Sequence, residues 1–360
     1  FDALGTLAER LARRATVRQG KTPDTTVGAH LEVAAAHGVR MVSFERDDQV
    51  QLCYDGEAFR RVLALPASDL QKALAALAVT RHDCVSPALT PVERFAFDHW
   101  RAEVLDRVAT SKLPEVLKNR LHVRKAGVWA SLAWQRACRP ELGSGPVTEA
   151  ANRALSELAA INRSALAETD AAAYSDAAIR VGASRWAAEP GVAVAPTKVS
   201  AGLGIVTSAG QPGETCVHLV DAQHSAKKSL LTRCTYSMVW PASAVAQPQG
   251  NALALAVQPL DTWREMWVFR QGATGWTVEV VPPATDQPNL GYIEFAGWVP
   301  GDSLMLTARE AKVNGRYKVS FELRNLSSLE VERSADKPAS LTAFYRWQSP
   351  SWKAQTVSIR

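Results

Sequence analysis

The feature that most constrains this chain is a change of hydrophobic period partway along it. From Pro66 to about Ala173 apolar residues recur at helical spacing. From Ile179 to Arg360 they alternate in short runs broken by Pro and Gly turns. A chain that switches period in this way is neither one bundle nor one sheet, so the expected class is a multi-part α+β protein. Its 360 residues suffice for more than one core, and 47% hydrophobic with 21% charged residues excludes a disordered or collagen-like chain. No run approaches the roughly 18 consecutive apolar residues of a membrane-spanning helix.

The first part, residues 1–65, mixes both periods. Leu4, Leu7, Leu11 and Val17 form an apolar helical stripe. Val39 to Phe44 and Val50 to Tyr54 read as strands, Asp55-Gly56 as a turn, and Ala58 to Leu65 as a third strand. Residues 66–175 read as three or four helices in an antiparallel bundle. Asp69 to Val79 is rich in Ala and Leu. Thr90-Pro91 with Glu93 has the form of a capping box with proline in the first turn. Leu117, Leu121, Val128 and Leu132 share one helical face, which the basic residues mostly avoid. Gly143 to Pro146 interrupts the pattern, and Val147 to Glu168 resumes it.

Five cysteines are present and none forms a C-x-x-C pair, which removes support for zinc-ribbon or thioredoxin chemistry. Cys216 and Cys234 lie in strand-like runs around the polar turn Asp221 to Lys228. A hairpin centred on residue 225 sets them opposite one another, within reach of a disulfide. Cys53 ends a strand-like run and Cys84 follows a helix that returns toward it, so these two form the second expected bond. Cys138 is left over as a buried free thiol in a helix, with an intermolecular bond as the alternative. Disulfides place a protein in the periplasm or outside the cell. The chain begins at Phe1, and a removed signal peptide is the reading that the cysteines favour.

Residues 176–360 carry an apparent repeat. An apolar strand ends in Trp with Pro close behind at Trp186, Trp240, Trp298 and Trp347, intervals of about 50 residues. Further strands follow: Leu203 to Thr207, Ala252 to Val257, Leu304 to Ala308 and Lys353 to Ile359, with Glu265 to Arg270 and Trp276 to Val281 as third and fourth strands of one unit. Four short strands per unit is the pattern of a propeller blade. Val299-Pro300-Gly301-Asp302 resembles the turn after the first blade strand in TolB-type and WD40-like propellers. The chain is also similar to an exported family of Gram-negative bacteria, a resemblance that implies no activity. The propeller resemblance implies a small propeller of four or five blades, closed by the strands of 39–64, with the helical bundle inserted. The alternative is a β-sandwich beside a helical domain.

Net charge is +5, and between Arg107 and Arg139 eight basic residues face one acid, Glu115. Arg120, Arg124 and Lys125 are therefore candidate binding residues for an acidic protein or anionic polymer. No nucleic-acid motif accompanies them. Trp263, Trp267 and Trp276 with Arg264 are the second candidate surface, an aromatic platform of interface composition. His218, Asp221 and His224 would lie on a strand and in its turn without converging, so no metal site is expected. G-x-S-x-G, H-E-x-x-H and the phosphate-binding loop motif are all absent, and no catalytic residue or cofactor is assigned. The expected function is a non-enzymatic exported binding or assembly subunit with a protein partner in the cell envelope. The alternative is a carbohydrate-active hydrolase using two of Asp261, Glu265, Glu294 and Glu310.

Overall fold

A computed structural model describes residues 17–18, 32, 35–36, 41–46, 49–54, 56–82, 84–142, 145–189, 202–285, 290–301 and 303–355. The expected helix over 1–18 lies almost wholly outside these residues. The protein is mixed α+β, and its chain divides into two compact units. One comprises Phe1–Val128 with Ala160–Ala171, the other Trp129–Ala159 with Ala172–Arg360.

In the first unit, β1 (Val17–Arg18), β2 (Met41–Arg46) and β3 (Gln49–Tyr54) form an antiparallel sheet in the order β1-β3-β2. The third strand expected at 58–65 is instead helix α1 (Glu57–Ala64). Gly56, at φ 74°, turns the chain sharply, and Phe59, Val62 and Leu63 then fall at helical rather than alternating spacing. Helix α2 (Asp69–Val79) opens on a Ser68–Gln71 capping box, and α3 (Pro91–Asp106) on the expected Thr90–Glu93 box. The end of α2 is tied by Arg101, whose Nε and Nη2 donate to the Thr80 carbonyl while Nη1 pairs with buried Asp98 at 2.7 Å. The Cys53–Cys84 disulfide links β3 to the segment after α2. Helix α4 (Glu115–Cys138) buries Leu117, Leu121, Val128 and Leu132, the face its sequence marks as apolar.

In the second unit, α5 (Val147–Ala159) and α6 (Ala171–Ser184) precede the strands. A three-stranded antiparallel sheet comes first: β4 (Gly204–Ala209), β5 (Thr215–Val220) and β6 (Leu231–Thr235). Eight further strands form two four-stranded antiparallel meanders. One is β7 (Met238–Ala246), β8 (Ala252–Leu260), β9 (Trp263–Gly272) and β10 (Gly275–Val281). The other is β11 (Leu290–Trp298), β12 (Leu304–Val313), β13 (Arg316–Asn325) and β14 (Val331–Ala335). A short parallel pairing of Gly291 and Tyr292 with Trp263 and Arg264 joins them into one open sheet. Short helices α7 (Thr342–Trp347) and α8 (Pro350–Ala354) follow.

Side-chain alternation explains how these layers pack. Leu253, Leu255 and Val257 of β8 point toward Val217 and Leu219 of β5. Ala252 and Ala254 point the other way, toward Ile293 and Met305 of the second meander. Buried on both faces, β8 reads as a continuous apolar run. The remaining face of the second meander, with Tyr292, Leu306 and Phe321, packs against Ile179 of α6, Phe344 of α7 and Trp352 of α8. Two glycines permit close approaches. A Cβ on Gly182 would lie 2.4 Å from the Tyr292 ring, and one on Gly297 would lie 2.4 Å from the Trp347 carbonyl oxygen.

The tryptophan-marked repeat is not regular. The run Ile179–Trp186, expected as a strand, is the end of α6 and a 3₁₀ turn, Arg185–Ala188. Phe344–Trp347 and Lys353–Ala354 are helical, and 356–359 lie outside the described residues. The four indoles have unlike surroundings. Trp186 lies under the Arg185 guanidinium, and the Trp240 indole donates to Gln258. Trp298 packs on Phe295, and Trp347 lies under Arg346. The early strands β2 and β3 pair with each other and with β1.

Candidate functional site

The second unit buries a carboxylate beside a small cavity. On β11, alternation sends Tyr292, Glu294 and Ala296 to the helix-covered face, and three remote segments meet at Glu294. Arg185, in the 3₁₀ turn after α6, donates Nε to Glu294 Oε1 at 2.7 Å. Arg264, at the start of β9, donates Nη2 to the same oxygen at 2.8 Å. The indole of Trp352 on α8 donates to Oε2 at 2.7 Å. Arg264 also donates Nη1 to the carbonyls of Gly182 and Ala183, placing a cation at the C-terminal end of α6, where the helix dipole favours one. All four side chains are buried, with Arg264 at 0% exposure and Glu294 at 3%.

The adjoining cavity has a volume of about 90 Å³, and its polar lining comes from Arg185, Ser243, Glu294, Ser349, Ser351 and Gln355. Ser243 sits in the β7 bulge, where its hydroxyl donates to the Trp240 carbonyl and accepts from the Ala256 amide, replacing a ladder bond that the bulge removes. Glu294 is the cavity's sole carboxylate, and both of its oxygens are occupied. Two-carboxylate glycoside hydrolysis needs a second acid across a substrate-sized gap. This cavity supplies neither.

The other carboxylates expected as an acid–base pair are held elsewhere. Glu310 accepts from the Tyr292 hydroxyl at 3.2 Å, and Asp261 from Ser131 at 3.3 Å. Glu265 accepts from the Trp263 indole at 3.3 Å. Burial pushes the Glu265 carboxyl above the usual carboxylate range, while the Trp263 bond and the Arg233 charge pull it back. His218 lies between Ser208 and Thr232, and His224 bonds Asp221 in the turn, so the two histidines do not converge.

The expected aromatic platform is not exposed. Trp263 and Trp267 are buried, and Trp276 is half-buried against the same core as Trp267. Arg264 belongs to the Glu294 cluster. The basic residues of α4 have internal partners as well. Arg120 pairs with Asp170 at 2.7 Å, Arg124 donates to the Leu77 carbonyl at 2.8 Å, and Lys125 lies 3.5 Å from Asp106. Both expected disulfides, Cys53–Cys84 and Cys216–Cys234, are formed. Burial pushes the thiol of Cys138 up to about 12.

Sequence reasoning singled out Glu294 and Arg264 but missed Arg185 and Trp352. A lone carboxylate within Tyr292-Ile-Glu-Phe-Ala-Gly-Trp298 is itself a signal, because a charge buried in an apolar strand needs a partner. Helix α7, just before α8, carries an exposed aromatic side chain. Tyr345 is 78% exposed, and the Arg346 guanidinium lies over the Trp347 ring, 4.8 Å from its centre.

Comparison with protein-family models, curated proteins and solved structures found no match.

Proposed function

We propose that this chain is a non-enzymatic binding or assembly subunit that works outside the cytoplasm and docks a protein partner in the cell envelope. The observation that carries this reading is the state of Glu294. The buried carboxylate beside the cavity accepts from two guanidinium groups and an indole, and it is the only carboxylate lining that cavity. Chemistry that needs a free acid and base has no place there, whereas a rigid scaffold does. Two disulfides agree with export, and no helix among the described residues is long and apolar enough to cross a membrane.

The docking face in this reading is Tyr345, Arg346 and Trp347. These residue types dominate binding energy at protein interfaces; Tyr345 and Arg346 are exposed on α7, and Arg346 lies over Trp347, which is half-buried against the core. The partner surface that suits them is apolar with an acidic rim.

The test is affinity capture from the native envelope with the wild-type chain and with a Tyr345→Ala/Arg346→Glu variant, both shown to be folded by circular dichroism. A stoichiometric partner should be recovered with the wild type and lost with the variant. Recovery of no stoichiometric partner, or equal recovery with both chains, overturns the proposal. Binding to an anionic polymer alone, collapsing as salt rises, would replace the protein partner with a charged one.

A further inference from the structure

The outer face of the β4–β6 sheet holds a second group of chemically capable side chains, far simpler than the Glu294 cluster and not used by it. Cys216 on β5 stands directly opposite Cys234 on β6, and the two are bonded. The carboxylate of Glu214, just before β5, stands beside them. One oxygen of Glu214 and the two sulfurs all lie within 4.8 Å of one another.

Three features build this place. The Gln211 amide donates to Glu214 Oε2 at 3.0 Å and turns the carboxylate inward. Gly210 leaves room for it, since a Cβ there would stand 2.4 Å from that oxygen and 3.0 Å from the Cys216 sulfur. The central strand β5 is laddered on both sides, from Gly204–Val220 to Ala209–Thr215 with β4 and from Thr215–Thr235 to Leu219–Leu231 with β6. The strands therefore stay paired when the covalent link is opened, and the sulfurs remain face to face. Cys234 is exposed, so a reductant can reach the bond.

We propose that the Cys216–Cys234 disulfide is the closed state of a metal site, and that its dithiol form binds one zinc-like cation through Cys216, Cys234 and Glu214. Two thiolates and a carboxylate are a ligand set suited to a borderline-soft divalent ion. Around one tetrahedral zinc the ligand atoms stand about 3.5 Å apart, a spacing that small side-chain rotations reach from the present one. Three protein ligands leave one position for water. His218 lies on the same face but is held by Ser208 and Thr232, so it stays outside the set.

The step balances with a dithiol reductant. The reductant's two thiols become a disulfide and release two electrons and two protons. The protein's sulfur–sulfur bond takes these up and becomes two thiols. Zinc then displaces both protons as it binds.

The test uses the full chain, opened with a water-soluble phosphine and freed of excess reductant under inert gas, since the phosphine itself binds zinc. Zinc binding is followed by calorimetry, and cobalt(II) binding by sulfur-to-metal charge-transfer absorption. The reduced chain should bind one equivalent with a thiolate signature, and the oxidised chain none. Glu214→Gln, which keeps both cysteines and both ladders, should bind at least about tenfold more weakly. The Cys216→Ser/Cys234→Ser variant should not bind. Equal binding by reduced and oxidised chains, or unchanged affinity in Glu214→Gln, overturns the proposal. The reductant also opens Cys53–Cys84, so the Cys216→Ser/Cys234→Ser variant, which keeps Cys53, Cys84 and Cys138, reads out any zinc that those thiols take.

Discussion

Glu294 and Glu322 stand on opposite faces of the same four-stranded meander. Both are buried and each lies between two arginines, yet they hold different things together. The partners of Glu322 are neighbours in its own sheet: Arg309 of β12 at 2.6 Å, Arg324 two residues along β13 at 2.6 Å, and Thr307 at 3.1 Å. The partners of Glu294 come from the turn after α6, the start of β9 and helix α8. The first cluster forms as the strands zip together. The second forms only when three remote segments arrive, and it adds a charged tie to the apolar packing of the helices on the sheet. The same residue chemistry is thus a cross-strand brace on one face and a tertiary clasp on the other.

The largest effect is expected from removing the clasp. Glu294→Ala leaves Arg185 and Arg264 buried without their anion and should cost about 3–5 kcal/mol in urea denaturation. A cost under 1 kcal/mol would show that the cluster is not a clasp. Glu322→Gln should cost less, about 2 kcal/mol, because Arg324 keeps its bonds to the Thr307 hydroxyl and the Leu329 carbonyl. A larger loss for Glu322→Gln than for Glu294→Ala would reverse the comparison.

The smallest effect concerns Glu265, whose carboxyl is raised chiefly by burial. A group whose pKa rises on folding stabilises the fold while protonated. That contribution is complete below the ordinary carboxylate pKa and is lost as pH climbs through the folded value. Glu265→Gln should therefore flatten the fall in stability across that window and leave the protein slightly more stable at neutral pH. An unchanged pH profile would show that Glu265 makes no such contribution.

Much of this architecture was legible in sequence where it is local. The Cys216–Cys234 register followed from two strands and the turn between them. The Thr90–Glu93 box and the apolar face of α4 are short-range patterns, and they appear where the sequence marks them. Short apolar runs were misread for a physical reason. Over seven or eight residues, alternation and helical spacing share too many positions to be told apart. Ala58–Leu65 and Ile179–Trp186 are such runs. In the second, helix formation depends on the Ala-rich residues before Ile179 and on Gly182 admitting Tyr292, which no local pattern records. The tryptophan spacing suggested equivalence that the surroundings of the four indoles do not share. The site was only half legible. A buried charge on β11 announces a need for partners, but Arg185 and Trp352 answer it from 109 and 58 residues away.

The central claim is that the buried carboxylate beside the cavity serves structure rather than catalysis. Its most direct test is thermal unfolding of Glu294→Gln, read beside release of reducing ends from envelope polysaccharide. The substitution keeps the shape of the side chain and removes its charge. The account predicts a melting temperature lower by roughly 5–15 °C, with no polysaccharide cleavage by either chain. An unshifted melting temperature, together with a cleavage activity present in the wild type and absent in the variant, would contradict it.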